Sequence, residues 1–165
     1  MSKEVICLSR ARAMKNDRLQ CVETFSGYRS SKRDPRGSQH LLPPDANDRD
    51  LGLAVLDALA HSRFVRPQDD PALFDNESTA ERYEAWVKDL MFAYGYGVRS
   101  DLFKDMRSCN IESQNGTITI RPSVHDKPEG WSGDGIGEKD FVVISDERPA
   151  AEIGAALRQA FGRCK

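Results

Sequence analysis

The pattern of apolar and polar positions predicts strands towards both ends of the chain and helices between and after them. Short β-rich runs occupy residues 4–9 and 19–28, whereas the polar residues 11–17 between them predict a loop. Residues 34–37 (DPRG) have the order that a type I turn favours, so the second strand is expected to fold back onto residues 39–42. The N-terminal part is therefore predicted to form antiparallel strands.

Two amphipathic helices are predicted in the middle of the chain, because their apolar residues recur at spacings of three and four. The first begins after a cap at Asn47 or Asp48 and runs for about four turns. The second begins with a capping-box pattern, in which Ser78 caps the helix and Glu81 reaches back to it. Gly95 is expected to end this helix.

The clearest local signal is Asn115-Gly116, which separates two alternating runs, CNIESQ and TITIRPS. Asn-Gly favours a two-residue hairpin turn because both of its residues tolerate the positive φ that this turn needs. A hairpin is therefore predicted over residues 109–123. The apolar run at residues 141–145 (FVVIS) predicts one more short, buried strand.

Two further helices complete the predicted elements: a short one over residues 101–107 after a cap at Ser100, and an amphipathic one near the end. Pro149 suits the first position of that last helix, which leaves Arg148 at the cap. Together the elements predict an α+β fold in a single domain, residues 1–165. An antiparallel sheet from N-terminal and C-terminal strands is expected, with helices packed against it.

Charge is distributed unevenly along a chain whose formal net charge is only −2. Residues 1–43 carry nine Lys/Arg and four Asp/Glu, whereas residues 44–77 carry three and eight. The acidic segment is either a solvated face or a surface that complements a basic partner. The near-neutral total argues weakly against nucleic acid as the main partner, but the basic residues from Arg10 to Arg36 keep one alternative open. That alternative is a small nucleic-acid-binding protein or enzyme.

The four cysteines are far apart and form no CxxC pair, so a zinc ribbon is not expected. The sequence begins without a recognisable signal peptide and has no apolar run of about 18 residues. These features predict a cytoplasmic protein with reduced thiols and no membrane partner.

No constellation of residues predicts catalysis, a cofactor or a metal. The glycine-rich residues 133–137 lack the Lys-Ser/Thr of a phosphate-binding loop and precede a strand instead of a helix. His40, His61 and His125 show no metal-ligand spacing. No serine lies in the context of a nucleophile. We therefore expect no enzymatic activity.

Trp131 lies in a polar, glycine-rich stretch, where a large aromatic either anchors its own loop or is presented to a partner. Trp86, by contrast, shares a helix face with Tyr83 and Leu90 and is expected in the core.

Several segments, in order and spacing, resemble a known family. They are SGY at 26–28, RDPRG at 33–37, LGLAVLDAL at 51–59, AERYEAWVKDLMFAYGY, SCNIE, NGTITIRPS, EGWSGDGI and EIGAALRQAFGRC. The chain is similar to the CdiI-type immunity proteins of contact-dependent growth inhibition. The resemblance implies a cytoplasmic, non-catalytic protein that pairs with the C-terminal toxin domain of a cognate CdiA effector as a heterodimer. Such toxin domains are commonly nucleases, RNases among them, with basic clefts.

A basic toxin cleft would be complemented by an acidic inhibitor surface, which would speed association and exclude substrate. We therefore predict toxin-binding residues in two places, without transferring any by position from the family. In the acidic segment they are Asp45, Asp48, Asp69, Asp70, Asp75 and Glu77; in the glycine-rich region they are Asp126, Glu129, Trp131, Asp134 and Glu138.

Overall fold

The computed structural model describes residues 7–165, which form nine strands and five α-helices. The strands are β1 (Ser9–Lys15), β2 (Gln20–Gly27), β3 (Ser31–Arg33), β4 (Gln39–Leu42), β5 (Arg107–Gln114), β6 (Thr117–Arg121), β7 (Val124–Lys127), β8 (Gly130–Ser132) and β9 (Val142–Ser145). The helices are α1 (Asp48–Ala60), α2 (Pro71–Phe74), α3 (Asn76–Tyr94), α4 (Arg99–Phe103) and α5 (Ala150–Gly162).

One antiparallel sheet contains seven of the strands, in the order β3-β2-β1-β5-β6-β9, with β4 also pairing with β2. Strand β1 lies at the centre, where Arg12 is paired with Glu23 of β2 on one side and Asn110 of β5 on the other. Strands β7 and β8 form a separate hairpin. The predicted α+β fold, with a sheet built from both ends of the chain, is confirmed.

Helices α1 and α5 cover one face of the sheet and bury the apolar stripes that periodicity predicted. They cross at two glycines: a Cβ at Gly52 would overlap the carbonyl oxygen of Ala150, and one at Gly154 would overlap that of Asp48. The backbones therefore touch, and larger residues would push the helices apart. The helix residues of this core are Leu51, Ala54, Val55, Ala58, Leu59, Ile153, Ala156, Leu157, Ala160 and Phe161.

Helices α3 and α4 cover only part of the opposite face of the sheet. A second apolar cluster forms there, in which Met14 and Cys21 of the sheet meet Trp86, Leu90 and Phe103 of the helices. The β7–β8 hairpin packs against the same cluster through its tryptophan. Because α3 and the hairpin do not meet over the rest of this face, a cleft remains between them.

Strand β1 corrects the prediction of a loop over residues 11–17. Small Ala11 and Ala13 face the first core, while Arg12 and Met14 face the other side. Long polar side chains disguise this alternation, but the stem of an arginine packs well on apolar surface. The strand predicted over residues 4–9 lies mostly outside the described residues.

The starts of α3 and α4 also differ from the prediction. Asp75 caps α3 by accepting a 2.8 Å hydrogen bond from the backbone N of Ser78, which is therefore inside the helix. Aspartate caps as well as serine does and adds a favourable charge at the helix N-terminus. Helix α4 follows Val98, not the predicted cap Ser100. It ends early because Lys104 already has an extended ψ of 128°.

Helix α5 begins one residue later than predicted. Pro149 is its cap residue, has an extended ψ of 147° and makes no side-chain capping bond. Arg148 therefore precedes the cap, and its Nε lies 3.1 Å from Glu152 in the first turn of the helix. The placement of Arg148 at the cap was wrong.

The predicted turns are confirmed. Asn115 and Gly116 have φ values of 50° and 79°, so both are positive as the hairpin requires. The backbone N of Gly37 donates to the carbonyl oxygen of Asp34, which closes the DPRG turn. Gly95 ends α3 in the left-handed region, with a φ of 70°.

Candidate binding cleft

The open part of the second sheet face forms a cleft with a volume of about 570 Å³. Strands β1, β2, β3 and β5 form its floor, α3 forms one wall, and the β8 end of the small hairpin forms the other. The floor carries arginines, whereas aromatic side chains and a glutamate lie on the walls. The residues that line the cleft include Arg12, Phe25, Lys32, Arg33, Tyr83, Trp86, Phe103, Asn110, Glu129 and Trp131.

Aromatic side chains line the deep end of the cleft. Tyr83 stacks on Trp86 with ring centroids 5.8 Å apart, and Phe103 contacts both Trp86 and Trp131 at 6.3 and 6.2 Å. The Trp86 indole donates from Nε1 to the buried Glu23 carboxylate at 2.8 Å. Trp86 is therefore fixed in the core, as predicted, while Tyr83 and Trp131 stay partly exposed.

Two guanidinium groups lie on the floor of the cleft. Arg12 and Arg33 both stack on Phe25, with distances of 4.3 and 5.4 Å from each Cζ to the ring centroid. Arg33 also lies 4.0 Å from the Trp86 ring centroid and donates from Nε to Glu23 at 2.8 Å. Burial and the nearby charge of Arg33 lower the pKa of Arg12 to about 10. The floor is therefore cationic, with a single buried carboxylate beneath it.

An ion-pair network crosses the rim. Arg99 donates to both oxygens of Glu129, at 2.7 and 2.9 Å, and to Glu84 at 2.6 Å. The Tyr83 hydroxyl donates to Glu129 at 2.6 Å. Burial and this hydrogen bond to the carboxylate raise the pKa of Tyr83, while the Arg99 hydrogen bonds lower the pKa of Glu129. The network ties α3 and α4 to the β7–β8 hairpin and so fixes the position of the two walls relative to each other.

The structure uses several of the predicted acidic residues within the chain itself. Asp75 caps α3, and Asp70 caps α2 while its Oδ2 lies 3.1 Å from Arg63. Asp69 pairs with Arg66 in an exposed contact at 3.0 Å. Asp48, in the first turn of α1, pairs with Arg158 of α5 at 2.9 Å. The predicted role of these four acids in toxin binding stays a prediction, now with a structural role beside it.

The other predicted acids are exposed and separate. Within residues 7–165 none of them has an ion pair, and none lines the cleft. They precede α1, begin α3, or lie in β7, in the loop after β8 and in a 3-10 turn; they are Asp45, Glu77, Asp126, Asp134 and Glu138. The cleft brings together only Glu129 and Trp131 from the predicted set.

Trp131 combines the two roles that its sequence context left open. Its Nε1 donates to the carbonyl oxygen of Met106 at 2.9 Å, and His125 stacks on its ring with centroids 4.6 Å apart. It therefore anchors the β7–β8 hairpin to the second apolar cluster. The same ring remains partly exposed and borders the cleft.

Sequence reasoning missed the cleft floor. Arg12 was assigned to a loop, and Arg33 was considered only within the RDPRG segment and the basic residues from Arg10 to Arg36. The alternation of small and long residues in ARAMK was the signal that would have placed Arg12 on a strand. The approach of Arg33 to Phe25 and Trp86 depends on strand pairing across the sheet, which no local pattern shows.

Two further observations concern sites and spans. Within residues 7–165, no three His, Cys, Asp or Glu side chains are grouped so that they could hold a metal ion. No helix in that part of the chain is long and apolar enough to cross a membrane.

A concave sheet face with aromatic walls, a charged floor and a fixed rim is typical of a protein that binds another molecule. The chain belongs to the CdiI family, the immunity proteins of contact-dependent growth inhibition, because the model of that family matches residues 9–164. It is 48% identical over 157 residues to the immunity protein CdiI-YPIII of Yersinia pseudotuberculosis serotype O:3. That match covers 88% of this chain and 89% of the relative.

Two solved structures are similar over the whole fold. The first is a CdiA-CT/CdiI toxin and immunity complex from Yersinia pseudotuberculosis, with a TM-score of 0.93 and 44% identity over 98% of this chain and 100% of that chain. The second is a protein of unknown function from Neisseria meningitidis, with a TM-score of 0.89, 36% identity and full coverage of both chains. The family resemblance inferred from sequence is thus confirmed.

Proposed function

We propose that this chain binds and neutralises the C-terminal toxin domain of a cognate CdiA effector as a one-to-one heterodimer, and that the cleft takes part in that contact. Membership of the CdiI family supports the biological role, and the similar Yersinia structure is a complex of a toxin with its immunity protein. The proposed site of action is the cytoplasm, where no catalytic activity of the chain is required.

The observation that carries this proposal is the half-covered sheet face. Helices α1 and α5 pack over one face, but the other leaves aromatic rings and two arginines bordering open space. Tryptophan, tyrosine and arginine dominate the energetics of protein interfaces when they lie in a concave, dehydrated centre. The cleft offers all three residue types on rigid strands and helices, so a toxin segment can be bound without reorganising the fold.

Neutralisation then follows from occlusion. A toxin domain held against the cleft and its rim would lose access to its substrate, or be held in an inactive form. The expectation that the toxin is a nuclease rests on the family resemblance and stays a prediction. The exposed acids Asp45, Glu77, Asp126, Asp134 and Glu138 remain candidates for guiding a basic toxin towards this surface.

The test is to measure binding of the purified protein to the toxin domain encoded immediately upstream of its gene, by calorimetry, together with protection of cells expressing that toxin. Asn110→Trp fills the cleft from an exposed strand position. We expect it to weaken binding at least tenfold, or about 1.4 kcal/mol. Thr117→Trp adds the same side chain at an exposed strand position outside the cleft and should leave binding unchanged.

Wild-type protein that neither binds nor neutralises the toxin would refute the function. Equal affinities for the two tryptophan variants would refute the cleft as part of the interface. Charge reversal at Asp45 and Asp126 then tests the acidic alternative, since neither residue caps a helix or pairs with a cation within the described residues. Reversal at Asp70 or Asp75 is a poorer test because it also removes a helix cap.

A further inference from the structure

The two arginines on the cleft floor differ in how strongly the chain itself binds their side chains. The Arg33 side chain makes one hydrogen bond, from Nε to Glu23, and that carboxylate also accepts from Trp86 and Cys21. The Arg12 side chain makes one weak hydrogen bond, from Nε to the Asn110 amide at 3.3 Å. Within residues 7–165, no carboxylate lies in ion-pair distance of Arg12. The Nη groups of both arginines therefore make no hydrogen bond to residues 7–165.

The surroundings of these guanidinium groups increase the excess of positive charge. Lys32 and Arg82 also line the cleft. Among the described residues that line it, Glu129 alone is acidic, and Arg99 already binds its carboxylate. Burial, and then repulsion from Arg33, lower the pKa of Arg12 to about 10, so both disfavour its charge in the open cleft. A partner group with negative charge would offset both effects.

The geometry favours a flat anion. Both guanidinium groups lie over Phe25, so both are held at the same part of the floor. A guanidinium binds a carboxylate through two parallel hydrogen bonds, which a flexible ammonium cannot do. The aromatic walls leave room for a narrow segment, and a bound segment would displace water and so strengthen such a pair.

We propose that the cleft floor is a carboxylate-binding subsite, in which Arg12 and Arg33 receive an Asp or Glu side chain of the partner protein. The proposal rests on the function proposed above and adds its recognition chemistry: the toxin places an acidic residue in the cleft. A protein partner is favoured over a nucleic acid because the basic floor is short and is bounded by acidic groups at the rim. A nucleic-acid backbone needs a continuous basic track, and Glu129 and Glu84 interrupt the rim.

The experiment uses Arg12→Met, because Arg12 has no carboxylate partner to leave unpaired and methionine keeps the apolar contact with Phe25. The matched control is Arg49→Met, which removes one charge from an exposed position on α1 outside the cleft. Calorimetry with the upstream toxin domain should show at least tenfold weaker binding for Arg12→Met and less than twofold for Arg49→Met. Arg12→Lys should fall between them, since it keeps the charge without the fork.

The partner residue is found by replacing each exposed Asp and Glu of the toxin with Ala. One of them should lose affinity with wild-type protein but little with Arg12→Met, so that the two changes couple. Equal affinity of wild type and Arg12→Met would overturn the subsite, as would the absence of any coupled acid. Salt-dependent binding of a labelled single-stranded oligonucleotide that Arg12→Met abolishes would overturn it in favour of nucleic acid.

A partner-free measurement separates the subsite from the function. Glutarate, a small dicarboxylate, is titrated into the protein while the side-chain Nε–H resonances of the arginines are followed by NMR. Saturable shifts at Arg12 and Arg33 in the wild type, and no Arg33 shift in Arg12→Met, support the subsite even if the upstream toxin does not bind. Shifts no larger than those of Arg49 overturn it even if the toxin does bind.

Discussion

Asp34 gives the strongest prediction about stability, because its side chain is fully buried and accepts most of its hydrogen bonds from distant segments. Arg63 donates to it from Nε at 2.7 Å and from Nη2 at 2.9 Å, and Ser26 donates from its hydroxyl at 2.6 Å. Arg63 extends the connection to Asp70 at the start of α2. The DPRG turn is thereby locked to the end of α1 and to the acidic segment.

Asp34→Asn keeps the shape of the side chain but removes its charge. Breaking a buried ion pair by removing one partner costs about 3–5 kcal/mol. We expect about 3 kcal/mol here, because Arg63 keeps 26% of its side chain exposed and part of its hydration. With a urea slope of about 2 kcal/mol/M, the unfolding midpoint should fall by about 1.5 M. Asp69→Asn is the control, since that Asp–Arg pair is exposed and should leave the midpoint unchanged.

The difference should also depend on pH. Burial raises the pKa of Asp34, but hydrogen bonds from Arg63, Ser26 and the Arg36 backbone outweigh burial and hold the pKa below its ordinary value. The pair therefore stabilises the fold above the unfolded-state pKa of about 3.9, and this stability is lost as the pH falls through the folded-state pKa. Urea unfolding at pH 7 and at successively lower pH should show the gap to Asp34→Asn closing. Equal midpoints for the Asp34 and Asp69 variants at pH 7, or a gap that persists in acid, would refute the reasoning.

Two further predictions concern other parts of the fold. Gly154→Ala should lower the free energy of unfolding by about 1–3 kcal/mol in urea titrations, because the new Cβ overlaps the carbonyl oxygen of Asp48. Gly162→Ala has no neighbour within 4 Å and should be neutral or stabilising; equal losses for the two variants would contradict the close helix contact. Hydrogen peroxide should oxidise the thiols of Cys109 and Cys164 to a disulfide with release of water. The two sulfurs lie 3.7 Å apart, and a hydrogen bond from Cys109 lowers the pKa of Cys164 to about 7, which favours the reactive thiolate. Intact-mass spectrometry after alkylation checks this against Cys164→Ser, and two alkylated thiols at these positions in treated wild type would count against it.

Local signals were enough to predict most of the elements. Asn115-Gly116 set the hairpin through its own backbone preference, and the apolar spacing of α1 and α5 predicted two amphipathic helices, which pack in the first core. The error at the start of α3 arose because two local solutions are nearly equal in energy. Asp75 and Ser78 are both good caps, and the choice between them depends on where the preceding chain lies.

The cleft was beyond prediction because it is made by pairing over long distances. Arg12 and Asn110 are neighbours only because β1 pairs with β5, and Arg33 reaches Trp86 only because β3 lies beside β2 under α3. The same holds for the crossing of α1 and α5, since nothing in the sequence around Gly52 indicates a partner glycine about a hundred residues away. The acidic segment was predicted from charge alone, and charge does not reveal which carboxylates the chain itself binds.

One face of the sheet packs against α1 and α5 and the other borders the cleft, and this separation is useful for engineering. Side chains that face the cleft alternate along each strand with those that face α1 and α5, so a change on one side leaves the packing of the other intact. Positions such as Arg12 and Asn110, which are paired across β1 and β5, can therefore be randomised together on an unchanged scaffold. A library of this kind, selected against toxin domains that the parent does not recognise, would show how far the same sheet can be given new partners.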